Sequence, residues 1–175
     1  MKDNIVLIGM PGCGKSTVGI VLAKIMGYKF IDSDLLIQES EGKLLSEIIS
    51  EKGLDGFNRV ENRVNASIDV HNCVIATGGS VIYGAEAMEH LAQIGTIVYI
   101  KLPYEEIARR LGDLTKRGVS IKKGQTLKDL YDERVPLYEK YAHITVTEDN
   151  VEIAVTADKI RRAVEEYQKN GGLRA

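Results

Sequence analysis

Only two cysteines, Cys13 and Cys73, occur in 175 residues. Two are too few for a disulfide framework, and Cys13 falls inside a glycine-rich turn that a bridge would obstruct. A reducing, cytoplasmic compartment is therefore expected. The three histidines (His71, His90, His143) lie far apart with no metal-ligand spacing, and read as ordinary surface or strand-end residues. Charge of one sign is lacking as well. The net charge is −2, and no basic tract stands out, so a nucleic-acid partner is not expected. No apolar run approaches membrane-spanning length, and because strand-like sequence starts at about residue 4 a signal peptide is not expected. Internal repeats and low-complexity stretches are absent too.

What remains is an ordinary globular composition, 44% hydrophobic and 27% charged, long enough for one domain with a sizeable core. The expected domain spans 1–170, with a loose tail over 171–175. Its organising stretch is near the start. Asn4-Ile5-Val6-Leu7-Ile8 reads as a buried strand, and Gly9-Met10-Pro11-Gly12-Cys13-Gly14-Lys15-Ser16-Thr17 follows. This matches G-x-x-x-x-G-K-[ST] in the strand–turn–helix context that phosphate binding requires. The glycines let backbone N–H groups converge on a phosphate, and the helix beginning near Lys15 adds its positive dipole end. Residues Gly12, Cys13, Gly14, Lys15, Ser16 and Thr17 are thus expected to hold a nucleoside triphosphate. Lys15 reaches the β- and γ-phosphates, and the Ser16 hydroxyl ligates Mg²⁺.

Strand and helix patterns alternate along the chain. Helix over 15–26 shows one apolar face (Val18, Val21, Leu22, Ile25, Met26) and stops at Gly27. A short strand at 28–31 ends in Asp32-Ser33-Asp34. Helix follows over about 34–41 and 44–52, Gly53 and Gly56 mark a turn, and helix resumes over about 57–69. A buried strand at 73–76 ends in Thr77-Gly78-Gly79-Ser80. Helix over 84–93, strand over 96–100, a helix after Pro103, helix over 126–141, a strand at 144–146 and a helix over 151–168 complete the chain. The segment from about 112 to 125 carries Gly112, Gly118 and Gly124 among basic residues, and reads as a lid. This is an α/β pattern with a parallel sheet of about five strands and helices on both faces. Ligands bind beyond the carboxyl ends of such strands, where each glycine-rich or acidic turn falls.

A phosphate loop alone does not separate kinases from switches, so the other strand ends decide. Asp32 and Asp34 lie two residues apart at a strand end and can face one site. One carboxylate could hold Mg²⁺, directly or through water. The other could accept a hydrogen bond from an attacking hydroxyl and orient it or act as base. The competing use of Asp34 is to cap the helix that starts there. Arg117, in the lid segment, could neutralise charge on the phosphates in the transition state; its alternative is a solvated loop. Arg110 could stack on adenine or form helix-surface salt bridges. Arg134 could reach an anionic substrate or pair with Glu133.

Together these residues resemble the shikimate kinase family, of the adenylate-kinase-like superfamily. The resemblance rests on the 9–17 loop, Phe30-Ile31-Asp32-Ser33-Asp34, Phe57 with Glu61, Ala76-Thr77-Gly78-Gly79, Arg117, and Arg134-Val135-Pro136-Leu137-Tyr138. It implies the P-loop kinase fold with a five-stranded parallel sheet in order 2-3-1-4-5. The implied reaction is ATP-dependent phosphorylation of shikimate to 3-phosphoshikimate, a step in aromatic amino-acid biosynthesis, by a monomer using ATP and Mg²⁺. The resemblance assigns Asp34 to the substrate hydroxyls and their activation, and Asp32 to Mg²⁺ through water. Gly78 and Gly79 fall to the substrate-facing turn, Arg117 to the phosphates, Arg134 to the substrate carboxylate and Arg110 to adenine. The catalytic set is then Lys15, Asp34 and Arg117.

Three positions depart from the family pattern. Asn58 stands where the family has a carboxylate-binding arginine, and Arg59 is about 100° further round a helix. Ser80 replaces the third glycine of the turn, and the lid reads Arg117-Gly118-Val119 where the family has arginine followed by proline. Two of the three departures fall where substrate is read. The acceptor is thus shikimate or, as the alternative, another small hydroxy acid or polyol. A non-catalytic ATP-binding regulator is the competing class, and it gives no use to Asp34.

Overall fold

The computed structural model describes residues 3–111, 121–148 and 152–171. Its elements, in chain order, are β1 (Asn4–Ile8), α1 (Lys15–Met26), β2 (Lys29–Asp32), α2 (Ser33–Glu41), α3 (Leu45–Ala66) and β3 (Cys73–Ala76). A short 3₁₀ turn (Val81–Tyr83) then leads to α4 (Ala85–Ile94), β4 (Gly95–Lys101), α5 (Tyr104–Leu111), α6 (Leu127–Tyr141), β5 (Ile144–Thr147) and α7 (Ile153–Lys169).

The five strands form one parallel sheet in the order β2-β3-β1-β4-β5. All five residues of β1 are buried. Successive strand residues point to opposite faces, so burial of every one means that both faces are covered. β3 and β4 flank β1 in register, with Ile5 beside both Val74 and Thr96. They too are apolar and buried along nearly their whole length. The edge strands β2 and β5 keep partly exposed residues. Helix α1 packs against α7, and α3 against α4 and α2. A satellite core of Ile37, Ile48, Phe57, Val60 and Val64 joins α2 to α3 beside the main core.

The chain leaves β1 toward β2 on one side and reaches β4 on the other. The crevice this creates at the carboxyl end of β1 is where the phosphate loop sits. No helix among the described residues is long and apolar enough to cross a membrane.

Some expected details differ. The break expected across 53–56 is present but confined to Gly53 (φ 67, ψ 179), which separates α3 into two helical halves joined by a kink, the second ending at Ala66. A positive φ is open to glycine at little cost. On α1 the stripe that meets the sheet is Lys15, Val18, Gly19, Leu22 and Ala23, whereas Ile25 is 45% exposed. Gly19 sets that stripe: a Cβ there would stand 2.8 Å from Phe30, so the helix approaches β2 at its smallest residue. Each histidine has an ordinary partner: Asp3 for His71, the Ile68 carbonyl for His90 and the Ile97 amide for His143. Both cysteines are free and buried.

Candidate active site

The phosphate loop closes between β1 and α1. Gly14 caps α1 in the left-handed region (φ 90), which lets the backbone turn sharply into the helix. Lys15 is folded back over the loop. Its ammonium donates to the carbonyls of Gly9 at 2.9 Å and Met10 at 3.0 Å, and only 8% of the residue is exposed. Cys13 is buried beneath it, with its amide donating to the Met10 carbonyl.

Two oxygens meet at the head of α1. The Ser16 hydroxyl donates to Asp32 Oδ2 at 2.5 Å. Asp32 Oδ1 accepts from the Asp34 amide at 3.0 Å, making Asp32 the N-cap of α2. The capping use weighed for Asp34 thus belongs to Asp32, because α2 starts one residue earlier, at Ser33. Asp34 sits in the first turn, and its side chain faces the cavity. Among the described residues no three acidic, cysteine or histidine groups gather into a metal cluster. A hydroxyl beside a carboxylate is nevertheless a hard-oxygen pair of the kind that suits Mg²⁺ with its remaining waters.

The Thr77–Ser80 turn forms the opposite wall. Thr77 anchors it through its amide and hydroxyl, which both donate to the Leu7 carbonyl. Tyr138 Oη of α6 donates to the Gly79 carbonyl at 2.5 Å. Gly79 lies so close to the phosphate loop that a Cβ would stand 2.7 Å from Pro11 Cδ and 3.1 Å from Arg134 Nη1. Gly78 is wedged between two carboxylates: a Cβ there would be 2.5 Å from Glu61 Oε1 and 2.8 Å from Asp34 Oδ1.

These two acids titrate abnormally. Burial pushes the Asp34 carboxyl up to about 6, helped by the Asp32 charge and opposed by Lys15. Glu61, 1% exposed on α3, is pushed up to about 7, again chiefly by burial. A hydrogen bond from Ser80 opposes the rise, the Asp34 charge adds to it, and Arg134 and Lys15 oppose it.

Arg134 is 1% exposed at the inner face of α6. Its Nε donates to Tyr83 Oη at 3.3 Å, and its guanidinium carbon lies 5.4 Å from the centre of the Tyr83 ring. Tyr83 Oη in turn donates to Glu133, which also accepts from Gln125. Glu133 therefore reaches Arg134 through a tyrosine. Pro11, Lys15, Asp34, Glu61, Gly79 and Arg134 share one cavity of about 400 Å³.

Asn58 lines a second cavity together with Tyr83 and Arg134, and its Oδ1 is buried without a hydrogen-bond donor among the described residues. Arg59 is exposed and faces Lys52 and Arg63 instead, as the helical angle predicts. Arg110 forms the salt bridges expected of it, with Glu106 at 2.6 Å and Glu148 at 2.8 Å, and it lies along the loop, with Nη1 3.9 Å from a Cβ built on Gly14. Thr17 is exposed on the first turn of α1. Arg117 and Val119 lie outside the described residues.

The sequence gives no role in the site to Glu61, Tyr83 and Tyr138, and notes Ser80 only as standing in place of a glycine. For Glu61 a signal existed. It shares the stripe of Phe57, Val60 and Val64, and a carboxylate on an apolar helix face needs a reason.

A family model described as shikimate kinase matches residues 11–165. A shikimate kinase of Clostridium botulinum (strain Eklund 17B / Type B) is 37% identical over 170 residues, covering 97% of this chain and 97% of the relative. One from Chlorobium chlorochromatii (strain CaD3) is 35% identical over 180 residues, covering 97% and 94%. Among solved structures, the shikimate kinase from Acinetobacter baumannii in complex with shikimate superposes with a TM-score of 0.86 at 33% identity, covering 96% of each chain. That from Aquifex aeolicus gives 0.76 at 30% identity, covering 94% of this chain and 98% of the other. The strand order, the phosphate loop facing Asp34 and Arg134, and the match along nearly the whole sequence agree: this chain belongs to the shikimate kinase family.

Proposed function

We propose that this chain transfers the γ-phosphoryl group of ATP to a hydroxyl of shikimate, giving 3-phosphoshikimate and ADP. The observation that carries the reading is a single cavity in which Lys15 of the phosphate loop, the Asp34 carboxylate and the Arg134 guanidinium face one another. Such a cavity offers groups suited to a phosphate donor, an acceptor hydroxyl and an acceptor carboxylate within one space.

In this reading the backbone of Gly12, Cys13, Gly14, Lys15 and Ser16, with Thr17 behind it, wraps the ATP phosphates at the positive end of α1. The Lys15 ammonium exchanges the Gly9 and Met10 carbonyls for phosphate oxygens. Arg110, held by two carboxylates along the loop, offers its planar face to adenine. Asp34 accepts a hydrogen bond from the attacking hydroxyl. With its carboxyl at about 6 it is mostly ionised at neutral pH, and it can take the proton as the oxygen bonds to phosphorus and the bond to ADP breaks. Gly78 and Gly79 let the acceptor approach backbone. Asn58 and Arg134 bind its carboxylate, and Arg117 contacts the phosphates. The Ser16 hydroxyl directly, and Asp32 through water, are the oxygens for Mg²⁺, which when bound neutralises charge on the phosphates.

A second reading, a kinase for another small hydroxy acid or polyol, is favoured by one observation. Neutral Asn58 faces a cavity of about 600 Å³ beside Arg134. ADP release measured over shikimate, quinate and gluconate separates the two. The first reading predicts shikimate as the best acceptor by kcat/KM. A different preferred acceptor, or turnover that ignores the acceptor, refutes it.

A further inference from the structure

Arg134 lines both the acceptor cavity and a second cavity of about 600 Å³. That second cavity carries more cations than carboxylates. Its wall carries Lys52, Lys122, Lys123 and Arg134 against Asp55 and Glu133, with Asn58 contributing a neutral amide. Two of the lysines are engaged: Lys52 with Glu41 at 2.7 Å, and Lys122 with Glu133 at 3.6 Å. Lys123 forms no ion pair or hydrogen bond among the described residues, and its side chain is exposed at the cavity rim.

Lys123 is carried on a built turn. The Gln125 amide donates to the Lys122 carbonyl at 3.0 Å, and Gly124 takes the left-handed conformation (φ 83) that the reversal requires. The Lys122 amide donates to Gln125 Oε1, and Gln125 Nε2 donates to Glu133 at 2.9 Å. Glu133 accepts from Tyr83, whose hydroxyl accepts from Arg134. One chain of hydrogen bonds therefore fixes the lysine turn relative to the Arg134 guanidinium. A carboxylate entering this end meets one guanidinium and a neutral asparagine. A compact ammonium on a long stem can complete its charge balance from the rim.

We propose that Lys123 supplies the second positive charge for the acceptor's carboxylate, from the cavity wall that it shares with Arg134 and Asn58. The inference rests on the shikimate reading above, and it makes Lys123 a specificity-determining residue for this chain.

The test is steady-state kinetics and equilibrium binding of shikimate to the full chain. Lys123→Ala should raise KM and Kd for shikimate about three- to tenfold, the range for a partly exposed charge, with kcat within twofold. Lys123→Glu should raise both further. Lys128→Ala, which removes a cation paired with Asp132 on the surface of α6, should leave KM unchanged. Adding Asn58→Arg to Lys123→Ala should restore KM, because the charge is returned to the same cavity. The methyl ester of shikimate, which lacks the charge, should bind wild type and Lys123→Ala equally. Shikimate turnover with KM and Kd unmoved by Lys123→Ala overturns the inference alone, as does an equal loss with the ester. No shikimate turnover by the wild-type chain overturns the reading and the inference together.

Discussion

The Ser80 hydroxyl donates to Glu61 Oε2 at 2.5 Å, and it is the hydrogen bond that holds a fully buried carboxyl at the edge of the acceptor cavity. The other oxygen, Oε1, is buried without a partner and lies against Gly78, on whose far side is Asp34. Ser80 stands where the resemblance places glycine, and Asn58, one turn before Glu61 on α3, stands where it places arginine. Of the two departures, Ser80 is the one that hydrogen-bonds the Glu61 carboxyl.

This arrangement makes stability depend on pH with a definite sign. Glu61 is raised from 4.5 to about 7, so between those values the folded chain holds a proton that the unfolded chain has released. Stability should then fall as pH rises through that window and level off above it, by up to about 3 kcal/mol from this group. Asp34, also raised, adds in the same direction. Glu61→Gln, which keeps an acceptor for Ser80, should flatten the slope. Denaturant unfolding at pH 5, 6, 7 and 8 measures it, and equal slopes in the two proteins would contradict the assignment.

Asn58→Arg should lower KM for shikimate. Space for the longer side chain is present in the cavity between Asn58, Tyr83 and Arg134. A charge-assisted hydrogen bond gained in place of a neutral one is worth about 1.5–3 kcal/mol, or about ten- to a hundredfold in affinity. A raised KM, measured by initial rates, would mean that the pocket is shaped for a different acceptor.

Gly79→Ala should act on both halves of the site at once. The added methyl would stand 2.7 Å from Pro11 of the phosphate loop and 3.1 Å from Arg134. Overpacking of this kind costs about 1–3 kcal/mol. A lower unfolding free energy and a higher acceptor KM should appear together. A shift in neither would show that the turn has room that the geometry denies.

Much of the fold was legible because the hydrophobic pattern is unambiguous. Helix α1 begins and ends as the Lys15 and Gly27 signals indicate, and β1 and β3 are apolar runs of strand length bounded by turns. The break at Gly53 was legible from the glycine, but its extent was not, because only Gly53 leaves helical geometry and helix resumes before Gly56. In the site, residues fixed by a local motif were readable: the loop at 9–17 and the acids at the end of β2. Residues that matter through contacts far apart in sequence were not. Ser80 meets Glu61, Tyr138 meets Gly79 and Arg134 meets Tyr83 only once α3 and α6 fold over the sheet. The division of labour between Asp32 and Asp34 turned on where α2 starts, which sequence locates only to within a residue or two.

Lys15→Ala removes the one ammonium in the phosphate loop and the two hydrogen bonds that it makes to Gly9 and Met10. Loss of a preorganised charge at the transferred group should lower kcat by at least about 10²- to 10³-fold. Far-ultraviolet circular dichroism should remain that of the wild type. Near-wild-type turnover by a folded variant would remove the loop from the reaction.

The central claim is that the cavity between Lys15, Asp34 and Arg134 passes phosphate from ATP to shikimate. Phosphorus NMR of the purified chain with ATP, Mg²⁺ and shikimate reads it directly. A phosphate monoester resonance should grow in step with ADP, and none should appear with shikimate omitted. Inorganic phosphate formed in place of the ester, or ATP left intact, would contradict the account.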